Sequence, residues 1–261
     1  MSDTPTDATE DDDGLAPLLV GAAALGLALD AAQRAQFVHL RALLLDWNTR
    51  VNLTAITDPA EVVTRHFLDA LACALALPAE QRARPLRLLD VGSGAGFPGL
   101  PLAIAFPHWR VTLLEATGKK TRFQEAAIAA LGLTNTRALN GRAEELARAP
   151  EQRERYDVVT ARALAALPTL LEYCAPFATV GGLIIAPKKG ELAAEIAAGE
   201  RAATQLGAEL LAPIAINIPV LADDGRALLV ARQLHPCPPQ YPRPGGAPQK
   251  RPLGGRASAG G

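Results

Sequence analysis

Apolar residues between Asp30 and Leu77 recur at steps of three and four, the spacing of helices that bury one face. Asp30 and Gln33 form a capping pair at the start of one predicted helix. Asp58-Pro59 opens another, since Asp caps a first turn and Pro fits inside it. The apolar positions are Phe37, Leu40, Leu44, Trp47 and Val51, then Val62, Val63, Phe67, Ala70, Leu71 and Ala74. Residues 14–85 are therefore predicted to be a helical N-terminal extension.

The stretch Gly14–Leu29 is uncharged, but it fits neither a targeting segment nor a membrane span. It follows Asp11-Asp12-Asp13 instead of a basic region, and it falls short of the roughly 20 residues that cross a bilayer. We expect a buried helix here, in a cytoplasmic protein without membrane attachment.

From Leu86 onward, short strand-like runs alternate with helical stretches. The predicted strands are Leu86–Val91, Arg110–Glu115, Thr136–Asn140, Tyr156–Thr160 and Val180–Ala186, with helices at Lys119–Leu131 and Glu191–Leu206. Ala212–Val220 and Ala227–Leu234 are predicted to form a closing hairpin around Asp223-Asp224-Gly225. The alternation predicts an α/β domain over residues 86–235, with helices on both faces of a parallel sheet. A final antiparallel hairpin is typical of the Rossmann-like, class I S-adenosylmethionine-dependent methyltransferase fold.

The near-zero net charge hides two oppositely charged ends. The 261 residues carry 26 Lys and Arg against 27 Asp and Glu, and 49% are hydrophobic, which excludes global disorder. Residues 1–13 hold six acids and no base, which predicts a disordered acidic head. Residues 236–261 hold four bases and no acid among many Pro and Gly, which predicts a flexible basic tail. That tail is either a solvated linker or an anion-binding arm. The three widely spaced cysteines indicate a reducing compartment and no zinc site, and we expect no metal.

The candidate chemistry centres on the segment Asp90-Val91-Gly92-Ser93-Gly94-Ala95-Gly96-Phe97-Pro98-Gly99. Glycines directly after a strand let the backbone turn sharply and approach a ligand, where a Cβ would intrude. A dinucleotide fingerprint places its third glycine where this chain has Phe97, so that ligand class is disfavoured. No Gly-Lys-Ser/Thr follows, which excludes a nucleotide P-loop. The loop suits adenosylmethionine better.

Glu115 ends the second predicted strand, 23 residues after Gly92. A carboxylate at that strand tip can accept the ribose hydroxyls of an adenosine, although a solvated strand-end Glu is the alternative. Gly141-Arg142-Ala143-Glu144 follows the third strand, where the adenine edge would lie.

Motifs that the chain lacks reduce the number of possible methyl acceptors. Methyl transfer to an exocyclic amine usually brings an Asn/Asp-Pro-Pro-aromatic motif after the fourth strand, where this chain has Thr160-Ala161-Arg162-Ala163. Transfer to C5 of a pyrimidine needs a nucleophilic cysteine. Cys174 lies in an apolar helix and Cys237 in the tail, so neither is a credible nucleophile. An acceptor that is already nucleophilic, such as guanine N7, remains; positioning can supply most of its acceleration.

Five segments in order resemble the bacterial ribosomal RNA small subunit methyltransferase G family, also called glucose-inhibited division protein B. They are Trp47-Asn48 with Asn52-Leu53-Thr54, Arg65-His66-Phe67-Leu68-Asp69, the glycine segment with Phe97-Pro98-Gly99, Gly118-Lys119-Lys120-Thr121-Arg122-Phe123, and Thr160-Ala161-Arg162-Ala163. The resemblance runs from about Leu25 to Leu253, including Tyr241-Pro242-Arg243 and Lys250-Arg251-Pro252-Leu253. Two departures are Ala161, where relatives often have Ser, and Pro187-Lys188-Lys189-Gly190, which leaves open which lysine faces RNA.

The resemblance implies N7 methylation of one guanine in the decoding-region stem-loop of 16S rRNA, with S-adenosylmethionine as donor. It implies the cofactor contacts Gly92, Phe97, Glu115, Ala143, Glu144 and Arg162. No catalytic residue is assigned, and Arg162 is the candidate for positioning. The implied partner is 16S rRNA in the small ribosomal subunit, and we expect a monomer.

Nine residues are candidates for RNA binding: Arg65, His66, Lys119, Lys120, Arg122, Lys189, Arg243, Lys250 and Arg251. His66 lies on an apolar helix, so a satisfied structural histidine is the alternative. The bases of Gly118–Phe123 begin a helix, where cations oppose the helix dipole, and a solvated face is the alternative there.

Two other functions stay open at this point. One is a methyltransferase that acts on another RNA or on a small molecule. The other is a non-catalytic RNA-binding factor in ribosome assembly.

Overall fold

The computed structural model describes residues 13–221 and 224–254. Its helices are α1 (Ala16–Ala24), α2 (Ala31–Asn48), α3 (Pro59–Val62), α4 (Asp69–Leu71), α5 (Ala79–Arg82), α6 (Gly99–Ala105), α7 (Gly118–Ala130), α8 (Ala143–Leu146), α9 (Leu167–Cys174), α10 (Ala193–Gln205) and α11 (Ala247–Lys250). Its strands are β1 (Arg87–Val91), β2 (Arg110–Glu115), β3 (Thr136–Asn140), β4 (Tyr156–Thr160), β5 (Ala178–Lys188), β6 (Ala208–Leu210), β7 (Ile214–Ala215) and β8 (Ala227–Gln233). The acidic head up to residue 12, Asp223 of the predicted turn and Arg256 of the tail lie outside the described residues.

The capping pairs that the sequence predicts are present at both helix starts. The Asp30 carboxylate accepts from the Gln33 amide at 2.8 Å, and the Gln33 side chain accepts from the Asp30 amide at 2.9 Å. At α3, the Asp58 carboxylate accepts from the Glu61 amide at 2.9 Å. These bonds satisfy amides that a helix leaves unpaired in its first turn. A π-helical stretch, Val63–Leu68, then joins α3 to α4.

The described strands form one mixed sheet in the order β3-β2-β1-β4-β5-β8-β6, with β7 also paired to β8. Strands β1 to β5 run parallel, and β8 runs antiparallel to β5. The predicted α/β class, with a parallel sheet and an antiparallel end, is therefore confirmed. The closing hairpin is shorter than predicted, because only Ile214–Ala215 of its first arm pairs with β8. Pro213 and Pro219 have no amide hydrogen to donate, which interrupts the pairing on that arm.

Helices cover both faces of the sheet, and the N-terminal helices belong to one of these layers. Phe37 of α2 packs on Phe67 with ring centroids 5.2 Å apart, and Phe67 packs on Phe97 of the glycine segment at 6.0 Å. The same buried cluster includes Leu88 and Val111 of the sheet. Helices α9 and α10 bury their apolar residues on the opposite face. The helical extension thus shares its core with the sheet and sets the position of the glycine segment.

Residues 236–254 differ from the flexible tail that composition predicts; we call them the strap. The Arg153 guanidinium donates to the carbonyls of Cys237 at 2.7 Å, Pro238 at 3.2 Å and Tyr241 at 3.0 Å. Arg148 donates to the Pro242 carbonyl at 2.7 Å. The Pro-rich part of the strap before α11 has no helix or strand to satisfy its carbonyls, and here arginines from the folded body do so. The strap is therefore a packed part of the protein.

Arg243 anchors the strap to a buried carboxylate. Its Nε and Nη2 donate to the two oxygens of Glu172 at 2.8 and 2.6 Å, and the Arg243 amide donates to the same group at 2.9 Å. The Glu172 side chain is fully buried, whereas 28% of the Arg243 side chain is exposed. The Glu172 carboxylate raises the pKa of Arg243 above its ordinary value. A buried carboxylate of this kind is stable only while it is paired.

We predict that Arg243→Ala destabilises the fold, because it leaves the Glu172 carboxylate buried without its cation. Loss of one partner of a buried pair costs about 3 kcal/mol or more. Urea denaturation followed by circular dichroism measures the difference. Arg251→Ala is the matched control, since the Arg251 side chain is exposed on the same strap. Equal losses in the two variants would show that the Glu172 pair does not anchor the strap.

Candidate functional site

The glycine segment and Arg162 meet because β1 and β4 are neighbours in the sheet. Chain order reverses between these two strands, and ligands of open α/β sheets bind at the carboxyl ends beside such a reversal. The glycine segment follows β1, Arg162 follows β4, and Glu115 ends β2 on the other side of β1. The topology therefore brings residues 92, 115 and 162 to one edge of the sheet.

The glycine loop turns in backbone conformations that side chains rarely adopt. Gly92, Gly94 and Gly96 have φ of +67°, +59° and +82°. The Glu115 carboxylate holds this loop, with Oε2 accepting from the Gly94 amide at 2.9 Å and Oε1 accepting from the Thr117 amide at 2.7 Å. Glu115 thus fixes the loop after β1 and the start of α7 together.

A cleft of about 350 Å³ opens beside this loop; we call it the glycine-loop cleft. The residues that line it include four of the predicted cofactor contacts, namely Gly92, Glu115, Ala143 and Glu144. Lys120, Leu164 and Tyr173 also face it, and the strap contributes Gly246 and Gln249. The cleft is therefore built from the ends of β1, β2 and β3 and from a segment far along the chain.

Asp90 joins the glycine segment to α6 from below. Its Oδ2 accepts from the Gly99 amide at 2.8 Å, while its Oδ1 is buried without a hydrogen-bond partner among the described residues. Burial raises the pKa of Asp90 to about 7, although the bond from the Gly99 amide opposes the shift. Because the Asp90 carboxyl group is partly protonated near neutral pH, its burial costs less free energy than burial of a permanent charge would.

A second cleft, of about 400 Å³, lies next to the first; we call it the Asp69 cleft. The Asp69 carboxylate pairs with Arg162 at 2.8 Å and with Arg226 at 2.6 Å. Arg226 also lies 2.8 Å from the Asp224 carboxylate. Ala163, with an unusual φ of +54°, lines both clefts and forms part of the wall between them. Backbone strain at such a position is typical of functional sites.

His66 lies in the wall of the Asp69 cleft with both ring nitrogens engaged. Nδ1 lies 3.0 Å from Arg162 Nη2 and Nε2 lies 2.8 Å from the Thr54 hydroxyl. Because a guanidinium only donates, Nδ1 accepts and the ring is neutral, with its proton on Nε2. Burial and the nearby Arg162 charge lower the pKa of His66 to about 4. The ring stacks on Phe97 at 4.6 Å, and the Arg162 guanidinium lies 5.4 Å from the same Phe97 ring.

Sequence comparisons identify the family. The model of the family described as rRNA small subunit methyltransferase G matches residues 33–218. The chain belongs to this family. A relative named ribosomal RNA small subunit methyltransferase G from Roseiflexus sp. (strain RS-1) is 47% identical over 236 residues, which cover 90% of this chain and 98% of the relative. One of the same name from Dehalococcoides mccartyi (strain CBDB1) is 43% identical over 237 residues, with the same coverage of both chains.

Solved structures confirm the fold. The structure of MtNAS in complex with MTA and tNA has a TM-score of 0.51 at 13% identity, covering 79% of this chain and 70% of that chain. A point mutant of MtNAS has a TM-score of 0.52 at 15% identity, covering 86% of this chain and 90% of that chain. The fold is that of class I S-adenosylmethionine-dependent methyltransferases, as the sequence predicts.

Two of the cofactor contacts that family resemblance implies lie elsewhere than in the glycine-loop cleft. Phe97 is buried between Phe67 and His66, and Arg162 faces the Asp69 cleft. Neither residue therefore lines the glycine-loop cleft with the other four. Their contacts are with the N-terminal helices, which the local motif does not reveal.

The residues predicted to bind RNA lie in separate places. Arg65 and Lys189 line the Asp69 cleft, with Arg65 paired to Glu61 at 3.0 Å and the Lys189 side chain 65% exposed. Lys188 is held by Glu195 at 2.7 Å, so Lys189 is the more exposed lysine of that pair. Lys119 and Arg122 are exposed on α7, while Lys120 faces the glycine-loop cleft. Lys250 and Arg251 are exposed on the strap, unlike Arg243.

Sequence reasoning missed four residues of these clefts: Asp69, Arg226, Tyr173 and Gln249. Asp69 closes the Arg-His-Phe-Leu-Asp segment that carries the family resemblance, which was the signal available for it. Arg226 follows the predicted turn and pairs across 157 positions, for which the sequence offers no sign. Among the described residues, no group of three or more potential metal ligands occurs, and no helix is long and apolar enough to cross a membrane.

We predict that Gly92→Ala weakens binding in the glycine-loop cleft. An added Cβ would lie 2.7 Å from Leu164 Cδ1 at a φ that alanine avoids, so the Leu164 side chain, which lines the same cleft, must move. Isothermal titration calorimetry with S-adenosylmethionine measures the loss. Gly132→Ala is the matched control, because Gly132 has a similar φ of +64° and nothing within 4 Å of its added Cβ. Unchanged binding in Gly92→Ala would place the ligand elsewhere.

Proposed function

We propose that this chain methylates N7 of a guanine in the decoding-region stem-loop of 16S rRNA, with S-adenosylmethionine as donor. The observation that carries the proposal is the pair of adjoining clefts that meet at Ala163. One has a glycine loop and a strand-end carboxylate, and the other is lined by cationic side chains. Family membership supports the small-subunit rRNA as substrate.

The residues of the glycine-loop cleft fit the donor. A carboxylate offers about four acceptor positions, and the amides of Gly94 and Thr117 use two of those of Glu115. The remaining two are available to ribose hydroxyls. Gly92 lines the cleft with backbone alone, and Ala143 with Glu144 borders the place expected for the adenine. The bound donor supplies an electrophilic methyl group.

The Asp69 cleft would then hold the acceptor. Guanine N7 carries a lone pair in the plane of the ring, so no residue has to remove a proton before transfer. What the protein supplies is alignment, which alone lowers a barrier substantially. Arg162 is suited to this, because Asp69, His66 and the Arg65 carbonyl fix its guanidinium. Arg65 and Lys189 at the rim would contact phosphates.

The product decides the proposed function. Recombinant protein is incubated with 30S subunits lacking the modification and with S-adenosylmethionine labelled in the methyl group. Borohydride and aniline then cleave the rRNA at N7-methylguanine, and primer extension locates the break. A single stop in the decoding-region stem-loop supports the proposal. Label in another RNA or a small molecule would support a different acceptor, and no transfer would support a non-catalytic assembly factor.

We predict that Arg162→Ala lowers kcat by about 100-fold, because a misaligned acceptor forfeits much of the benefit of positioning. Arg162→Lys keeps the charge but not the planar fork, so it should restore little of the rate. Steady-state methylation of 30S subunits gives kcat and KM separately. A loss confined to KM, or full rescue by lysine, would contradict a positioning role for Arg162.

We predict that Gln249→Ala weakens donor binding without changing thermal stability. The exposed Gln249 amide has no hydrogen-bond partner among the described residues and faces the glycine-loop cleft. A lost hydrogen bond to the donor costs about 1 kcal/mol, close to a fivefold rise in Kd. Calorimetry measures the Kd, and Lys250→Ala is the neighbouring control. An unchanged Kd in Gln249→Ala would leave the strap as a passive wall.

A further inference from the structure

A third cleft, of about 580 Å³, lies at the opposite end of the sheet from the two clefts already described. Residues at the amino ends of β1 to β4 line it, including Arg87, Arg110, Thr136 and Tyr156. The proposed reaction uses the carboxyl ends of these strands. Nothing in that reaction accounts for a concave surface here; we call it the basic cleft.

The basic cleft carries an excess of positive charge. Four arginines line it, Arg87, Arg110, Arg137 and Arg155, against the single carboxylate of Glu151. The Arg87 side chain pairs with Asp157 at 3.5 Å, but both groups are between a third and a half exposed, so that pair contributes little. The cleft therefore concentrates guanidinium groups on a concave wall.

The bonding state of these arginines leaves donors available. The Arg110 side chain makes no hydrogen bond or ion pair with any described residue. Arg155 donates from Nε to the Pro150 carbonyl at 3.2 Å, which leaves the two terminal nitrogens. Arg137 is oriented by the Thr112 hydroxyl at 3.1 Å, without a carboxylate partner. Guanidinium groups such as these three, none of which is paired with a carboxylate among the described residues, are suited to phosphate groups, which accept paired hydrogen bonds from a guanidinium fork.

Cations continue from the basic cleft along one side of the molecule. β3 is the edge strand of the sheet, with Arg137 near one end and Arg142 just past the other. Both side chains are exposed. Lys119 and Arg122 are exposed on α7, which packs beside β3. Five residues of strand cover about 17 Å. A single folded RNA can therefore reach both the basic cleft and the glycine-loop cleft.

We propose that the basic cleft binds the phosphate backbone of the rRNA substrate outside the target stem-loop. The RNA would run from this cleft along the edge of the sheet that β3 forms. This inference rests on the proposed rRNA substrate. The contact holds the RNA without reading its sequence, because phosphates carry no base identity. It gives the protein two anchoring points on its substrate, one at each end of the sheet.

The double substitution Arg110→Ala with Arg155→Ala tests the basic cleft. Arg232→Ala is the matched control, since that side chain is 50% exposed on β8, four strands away from β2. Filter binding to 30S subunits is measured at 50 and 200 mM salt, together with calorimetry of S-adenosylmethionine binding. The slope of log affinity against log salt should flatten by about 1.4 to 1.8 for two lost contacts, which is about tenfold over this salt range. Donor affinity should not change.

Three outcomes are informative. An unaltered slope in the double variant, equal to that of the Arg232→Ala control, would overturn the inference. Calorimetric binding of adenosine monophosphate that the double substitution removes, with 30S binding intact, would also overturn it in favour of a free-nucleotide site. Failure of the proposed function is distinguishable, because the unsubstituted protein would then leave 30S subunits unmethylated whatever the slopes are.

Discussion

The Asp69 carboxylate is the interaction on which the arrangement of the site depends. It pairs with Arg162 after β4 and with Arg226 before β8, while Asp69 itself belongs to the N-terminal helices. Three segments that are distant in sequence therefore converge on one largely buried anion. Two cations satisfy that anion, and removal of the Asp69 carboxylate would leave Arg162 without its anionic partner in a poorly solvated place. His66 and Phe97 then pack against the oriented Arg162, so this side of the Asp69 cleft depends on one carboxylate.

Much of the fold is written in local sequence patterns. The bounds of β2, β3 and β4 agree with the predicted Arg110–Glu115, Thr136–Asn140 and Tyr156–Thr160, since each is a short run bounded by turn-forming residues. The glycine loop and Glu115 are also predictable from the sequence, because short-range geometry fixes a strand, its turn and the tip of the next strand. The packing of the tail is not predictable in this way. Pro-rich composition is the same in a free linker and in a strap, and only the distant partners Arg153 and Glu172 distinguish them.

The limits within the site have the same physical origin. Arg162 was correctly placed at the tip of β4, but its partner Asp69 lies 93 positions away and is one of many carboxylates in the chain. Phe97 belongs to a motif that implies a ligand contact, yet its ring is taken up by the aromatic stack with His66 and Phe67. Local motifs reveal which backbone can approach a ligand. They do not reveal which side chains the tertiary fold uses for its own support.

The strap has a consequence for how the protein responds to its ligand. Gly246 and Gln249 of the strap form part of the glycine-loop cleft. A molecule that binds in this cleft therefore finds the complete site only when the strap is docked. Ligand binding and strap docking are then thermodynamically linked, and each favours the other by the same free energy. Backbone amides of the strap that exchange through local opening should exchange more slowly as ligand concentration rises. Amide exchange in the strap thereby measures how much of the protein has ligand bound in the glycine-loop cleft.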